Sequence, residues 1–216
     1  MTEHVFEPMR RAMVASQLRT TGVNDPRVIG AMGDVPRERF VPEDRCALAY
    51  ADALVPVAAG RALNPPMALG RMLTEARLNG EERALVIGAA TGYSAAVLTR
   101  LVASVVALEE DPELVTFAKR ALKGSKVELV GGPLARGHAT GGPYDFILID
   151  GAAEHVPQMI IDQVADGGRI SLAVLDDGVS RLAVGRVVGG AFGIKVFADA
   201  ETASLPGFEK PRGFSF

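Results

Sequence analysis

Between residues 83 and 176 short apolar runs alternate with stretches of helical spacing. "RALVIG", "SVVALEE", "KVELVGG", "YDFILID" and "GGRISLAVL" are the apolar runs. "SAAVLTRLV", "PELVTFAKRAL" and "VPQMIIDQV" place apolar residues at helical intervals between them. Continuous apolar runs mark strands buried on both faces, and strand–helix alternation predicts a parallel sheet with helices on each side. Two further β-like runs lie in "RLAVGRVVGGAFGIKVFADA", split by Gly189-Gly190, and fit a hairpin at the sheet edge.

The first third reads differently. Residues 5 to 21 carry apolar positions near helical spacing, and Gly22 can close that helix. A second helix over 24 to 32 is opened by Asn24 or Asp25, with Pro26 in its first turn. "VPRERFVPEDR" reads as a turn-rich connector, and 49 to 66 as an irregular loop. "MALGRMLTEARL", 67 to 78, is an amphipathic helix closed by Asn79-Gly80. The expected fold is α/β: a doubly wound, Rossmann-like sheet, mostly parallel, with a C-terminal antiparallel edge and N-terminal helices. Residues 1–66 are expected to pack as helices and a loop on a core of 67–216, as one structural unit.

The loop after the first strand carries candidate chemistry. It reads Gly88-Ala89-Ala90-Thr91-Gly92. In an open α/β sheet such a loop lets backbone approach a ligand at the carboxyl ends of the strands. It departs from the dinucleotide fingerprint G-x-G-x-x-G. Its nearest match is G-x-G-x-G, the form common in S-adenosylmethionine methyltransferases, with Ala90 in place of the central glycine. Glu109 ends the second run, at the distance where an acid accepts ribose hydroxyls. Glu110 and Asp111 follow it, so a solvated strand-end acid is the competing reading.

Composition narrows the alternatives. Of 216 residues, 48% are hydrophobic and 23% charged, enough to fill a globular core. The net charge of −3 provides no global basic field for nucleic acid. Cys46 is the single cysteine and the three histidines, His4, His138 and His155, are scattered, so neither a disulfide framework nor a metal site is expected. No apolar run approaches the ~20 residues of a membrane span, and "MTEHVFEPMRR" lacks a signal peptide's apolar core. The expectation is a cytoplasmic protein without nucleic-acid or membrane partners, monomeric or homodimeric.

Several separated segments resemble the protein-L-isoaspartate O-methyltransferases. "MVASQLRTTGVNDPRVIGAMGDVPRERFVP", 13 to 42, is similar to that family's opening, M-V-x-x-Q-L followed by V-x-D-x-R-V and V-P-R-x-x-F-V-P. "AYADALVPV" resembles A-Y-x-D-x-P-L-P-I, "TGYSAAVL" resembles S-G-Y-x-A-A-V-L, and "ALEEDPEL" its strand-two acid region. The C-terminal "LPGFEKPRGFSF" departs from the family's usual ending, as in a divergent bacterial member.

The resemblance implies methyl transfer from S-adenosyl-L-methionine to the carboxylate of isoaspartyl residues in damaged protein, with a protein or peptide as partner. It places the cofactor on Gly88, Ala89, Ala90, Thr91, Gly92, Glu109, Glu110, Gly132 and Pro133. It places the acceptor on Arg61, Ala62, Leu63, Asn64 and Pro65, with Asn64 and Asp150 as the catalytic candidates. A carboxylate is already ionised near neutral pH, so the absence of a histidine or cysteine constellation is no objection.

Departures gather at the ligand-facing positions. The family's G-Q-T-I-S-x-P is here Gly60-Arg61-Ala62-Leu63-Asn64-Pro65-Pro66. The Asp of its G-D-G is Gly132, the acid before the loop is Val86, and the Thr common after strand four is Asp150. Asn64 retains an amide donor, and Arg61 is either a cation for a carboxylate or an exposed loop residue. Asp150 serves either a ligand or a cap for the turn after it. Two alternatives therefore accompany the family reading: a methyltransferase with a different acceptor, and a degenerate, non-catalytic binding or scaffold protein.

Overall fold

A computed structural model describes residues 3–210. Its helices are α1 (Glu3–Ala12), α2 (Pro26–Asp34), α3 (Pro66–Ala76), α4 (Tyr93–Leu98), α5 (Pro112–Ala121) and α6 (Gln158–Ile161). Its strands are β1 (Val55–Ala58), β2 (Arg61–Leu63), β3 (Arg83–Ile87), β4 (Ser104–Glu109), β5 (Val127–Gly131), β6 (Tyr144–Ala153), β7 (Val164–Asp176), β8 (Val179–Val188) and β9 (Ala191–Asp199). The fold is α/β, with a seven-stranded sheet ordered β5-β4-β3-β6-β7-β8-β9. Strands β3 to β7 pair in parallel, and β7-β8 and β8-β9 pair antiparallel. The chain runs from β3 outward to β5, then returns to β6 on the other side of β3. That reversal opens a crevice at the carboxyl ends of β3 and β6, the usual place for a ligand in such sheets.

Alternate residues of the inner strands feed two cores. Ala84, Val86, Val105, Ala107, Phe146 and Leu148 pack with the N-terminal helices, α3 and α5. Leu85, Ile87, Val106, Leu108, Ile147 and Ile149 pack on the opposite face, where Leu134, Ile160, Leu205 and Phe208 cover them. Among the described residues the second face is covered by the four-residue α6, the 3-10 turn Leu134–Arg136 and part of the chain after β9. Val86, standing where the family has an acid, is fully buried in the first of these cores.

Local signals explain most boundaries. Asp25 caps α2 by accepting from the Arg27 amide at 2.8 Å, and Asp111 caps α5 by accepting from the Glu113 amide at 2.8 Å. Gly189 and Gly190 have φ of 58° and 79°, the two positive values that turn a tight hairpin. Asp177-Gly178 does the same between β7 and β8, with φ of 49° and 77°.

Three expectations are corrected. Residues 49 to 66 are not wholly irregular: β1 and β2 form a hairpin that pairs with no other strand. The 5–21 helix is broken in type, since α1 passes into a π-helical turn at Met13–Leu18 and a 3-10 turn at Arg19–Thr21 before Gly22 ends it at φ 90°. α3 stops before Asn79-Gly80, with Arg77 as its left-handed cap at φ 53°.

Glu82 fastens the amino end of β3. Its carboxylate accepts from the Asn79 and Gly80 amides at 2.9 Å and from Arg169 at 2.6 Å. Burial opposes ionisation, but these donors prevail and hold the carboxyl below its ordinary value of 4.5. Its stabilising contribution is therefore present above pH 4.5 and lost as pH falls through the depressed value. Glu82→Gln is expected to cost about 2 kcal/mol at pH 7, and to remove part of the acid sensitivity, in urea titrations between pH 3 and 7.

Candidate functional site

The crevice at the reversal point gathers several of the departures noted in the sequence. β3 ends at Ile87, and the turn Gly88–Gly92 leads directly into α4. Gly88 and Gly92 have φ of 79° and 98°. Ala90, in place of the central glycine, also holds a positive φ of 49°. The turn therefore keeps a left-handed residue where the side chain opposes it, a cost of about 1–2 kcal/mol for an L-residue. Ala90→Gly relieves that strain while giving back some unfolded-chain entropy. A net gain of about 0.5 kcal/mol in thermal denaturation is the expected result.

Glu109 ends β4 beneath this turn and is fully buried. Arg61, from β2, pairs with it in a two-pronged ion pair at 2.6 and 2.8 Å. Three backbone amides complete its shell: Ala90 at 2.7 Å, Glu110 at 2.9 Å and Asp111 at 3.1 Å. Five donors thus converge on a group with about four lone-pair sites. The guanidinium is itself buried, at 8% exposure, so this pair is screened far less than a surface one.

Asn64, between β2 and α3, reaches β6. Its amide nitrogen donates to Asp150 Oδ1 at 2.8 Å, and its Oδ1 accepts from the Ala203 amide at 2.8 Å. Asp150 is inside β6, which continues to Ala153, so it is not a cap for a following turn. Burial pushes its carboxyl above the ordinary value of 3.8, against the pull of the Ser94 hydroxyl, the Asn64 amide and the Arg37 and Arg61 guanidinia.

Residues 203–205 run beside the end of β6. Ala152 N–H donates to the Ala203 carbonyl at 2.7 Å, and Leu205 N–H donates to the Ala152 carbonyl at 2.9 Å. This places the Leu205 side chain against the backbone of two glycines. A Cβ on Gly88 would sit 2.5 Å from Leu205 Cδ1, and one on Gly151 would sit 3.2 Å from Leu205 Cβ. Sequence reading missed Leu205 altogether. Its only sequence signal is an apolar residue in the C-terminal "LPGF" that departs from the resembled family's ending.

The remaining candidates are dispersed. Thr91 Oγ1 donates to the Phe40 carbonyl at 2.6 Å, which ties the turn to the N-terminal layer. Gly88 and Ala89 donate their amides to the Leu108 carbonyl, both at 3.0 Å. Glu110 is exposed and accepts from the Leu134 amide at 3.3 Å. Gly132 donates to the Glu109 carbonyl at 3.0 Å, with Pro133 exposed beside it. Ala62 and Leu63 pair with Pro56 and Val55 across the hairpin, and Pro65 leads into α3. Among the described residues no cluster of His, Cys, Asp or Glu could hold a metal ion, and no helix is long and apolar enough to cross a membrane.

As arranged, these residues do not fit an adenosyl methyl donor. Glu109 has no acceptor site left for a ribose hydroxyl, and Leu205 covers the glycine where backbone would approach the ligand.

The family description that matches the chain is protein-L-isoaspartate(D-aspartate) O-methyltransferase, over residues 9–189. A Rhodopseudomonas palustris protein named protein-L-isoaspartate O-methyltransferase 1 is 39% identical, over 82% of this chain and 74% of its own. A Herpetosiphon aurantiacus protein of the same family name is 37% identical, over 80% and 78%. A solved protein-L-isoaspartate O-methyltransferase superposes with a TM-score of 0.80 at 23% identity, over 92% of this chain and 66% of its own. A Plasmodium falciparum chain solved in complex with S-adenosyl-L-homocysteine superposes with a TM-score of 0.77 at 18% identity, over 95% and 98%. These two structures share the Rossmann-like methyltransferase fold of this chain.

Proposed function

The chain belongs to the protein-L-isoaspartate(D-aspartate) O-methyltransferase family, and from that premise we propose that it is an S-adenosylmethionine-dependent O-methyltransferase acting on a carboxylate of a protein or peptide. The observation that carries this reading is the joining of a left-handed small-residue turn, Gly88 to Gly92, to a buried strand-end acid, Glu109, at the reversal point of the sheet. In open α/β sheets a nucleoside is met at such a pairing. The isoaspartyl carboxylate is the acceptor the family implies, and Arg61 and Asn64 reach Glu109 and Asp150 at the crevice.

One observation favours a second reading. The ion pair of Arg61 with Glu109 and the packing of Leu205 on Gly88 close the crevice with the chain's own side chains. A relative that has given up the cofactor and serves as a binding protein would have this arrangement.

The two readings part in one assay. Tritiated methyl donor and an isoaspartyl peptide are incubated with the protein, and the labile methyl ester is counted against an aspartyl peptide. Label on the isoaspartyl peptide alone supports the enzyme. Label on neither peptide, with the protein folded by circular dichroism, overturns the isoaspartyl assignment.

A further inference from the structure

Two parts of the chain far apart in sequence converge on the crevice. Arg61 reaches in from the β1–β2 hairpin, and Leu205 from the segment after β9. Each takes up a kind of contact that a bound adenosyl group needs. The guanidinium presents N–H donors to Glu109, as a pair of ribose hydroxyls would. Leu205 lies on the glycine that admits close backbone approach.

Both carriers lie outside the seven-stranded sheet. The hairpin makes strand pairing only within itself, and its tip, Ala59-Gly60, turns at a Gly60 φ of 69°. The C-terminal segment is held near the crevice by the two Ala152–Ala203–Leu205 bonds and by the Asn64 side chain. Beyond Leu205, Gly207 sits at φ 82°, and Phe208 is 1% exposed in the second core. Phe208 thus anchors the segment beyond residues 203–206. A cleft of about 380 Å³ already lies between the carriers, lined by Gly60, Arg61, Glu110, Asp111, Leu205 and Glu209.

We propose that Arg61 and Leu205 form an internal gate that occupies the cofactor crevice in the resting protein, so that an adenosyl ligand binds only by displacing both. The gate rests on reading this crevice as the cofactor site. Opening divides Arg61 from Glu109 and separates residues 203–205 from the end of β6. The hydrogen bonds of Glu109 pass from the guanidinium to the incoming hydroxyls, so its buried charge is never left without donors.

Calorimetric titration with S-adenosylhomocysteine tests this on the full chain, comparing wild type with Arg61→Ala and Leu205→Ala. Thermal melting confirms that each variant is folded. The gate predicts weak binding by wild type, a gain of about tenfold in Leu205→Ala, and a larger gain in Arg61→Ala, which removes a buried two-pronged ion pair from the competing closed state. It also predicts that excess ligand increases hydrogen exchange at the Leu205 amide of wild type. Equal affinities within twofold for all three proteins would overturn the gate and leave the methyltransferase reading standing. No binding by any folded protein would overturn both. Tighter binding by the variants without transfer to any carboxylate would keep the gate and remove the proposed activity.

Discussion

Arg61→Ala is expected to lower the unfolding free energy by about 3 kcal/mol, a large share of an ordinary domain's total. The size follows from burial. An exposed ion pair of the same geometry contributes roughly 0–1 kcal/mol, because water screens it and long side chains lose freedom to form it. The Glu109 carboxylate is fully buried, and removing its counter-ion strands a charge that cannot reach solvent. The three amides of Ala90, Glu110 and Asp111 remain, which keeps the loss toward the lower end of the range for broken buried pairs. Arg61→Lys should recover only part of the loss, because an ammonium cannot supply the two parallel bonds seen at 2.6 and 2.8 Å. Urea denaturation of Arg61→Ala, Glu109→Gln and the double variant measures the coupling. A coupling energy under about 0.5 kcal/mol would mean that the pair holds nothing together. The same variant is expected to gain ligand affinity, so stability and binding move in opposite directions, as they must where a protein's own side chains compete with its ligand.

Much of the fold was legible because its signals are local. The strands β3, β4 and β6 read as continuous apolar runs, since both faces of each are covered. The hairpin at Gly189-Gly190 read directly from its turn residues, and Asp177-Gly178 carries an equally plain signal between β7 and β8. The β1–β2 hairpin did not read, because Pro56 and the short β2 leave too little alternation to show a period. At the site, the sequence marked Arg61, Ala62, Asn64, Val86, Ala90 and Gly132 as departures from the resembled pattern. It did not show what unites some of them. Arg61 and Glu109 are 48 residues apart, and Asn64 and Asp150 are 86 apart, so no spacing rule relates them. Leu205 acquires meaning only from the glycine beneath it. Val86 belongs to the core and Gly132 follows β5, so the departures have more than one cause.

Arg37→Ala is expected to cost about 4 kcal/mol. Arg37 is 1% exposed, with no carboxylate in hydrogen-bonding contact. Two carbonyls and a ring solvate it at close range, with the Asp150 carboxylate attracting it from farther off: Nε donates to Ala49 at 2.7 Å, Nη2 donates to Asn64 at 2.8 Å, and the guanidinium lies 4.5 Å from the centre of the Tyr93 ring. Truncation opens a cavity, removes the cation–π contact and leaves two buried carbonyls without donors, at about 1–3 kcal/mol for each orphaned group. The effect reaches the crevice as well. Arg37 holds the backbone of Asn64, whose side chain holds both Asp150 and the Ala203 amide. Loosening Asn64 should therefore raise hydrogen exchange at Ala203, far along the chain from the substitution, whereas a merely packed arginine would change only its own surroundings. Arg37→Met separates volume from hydrogen bonding. If methionine restores stability to within about 0.5 kcal/mol of wild type, the arginine serves by bulk alone, and its bonds do not bind the N-terminal layer to the crevice.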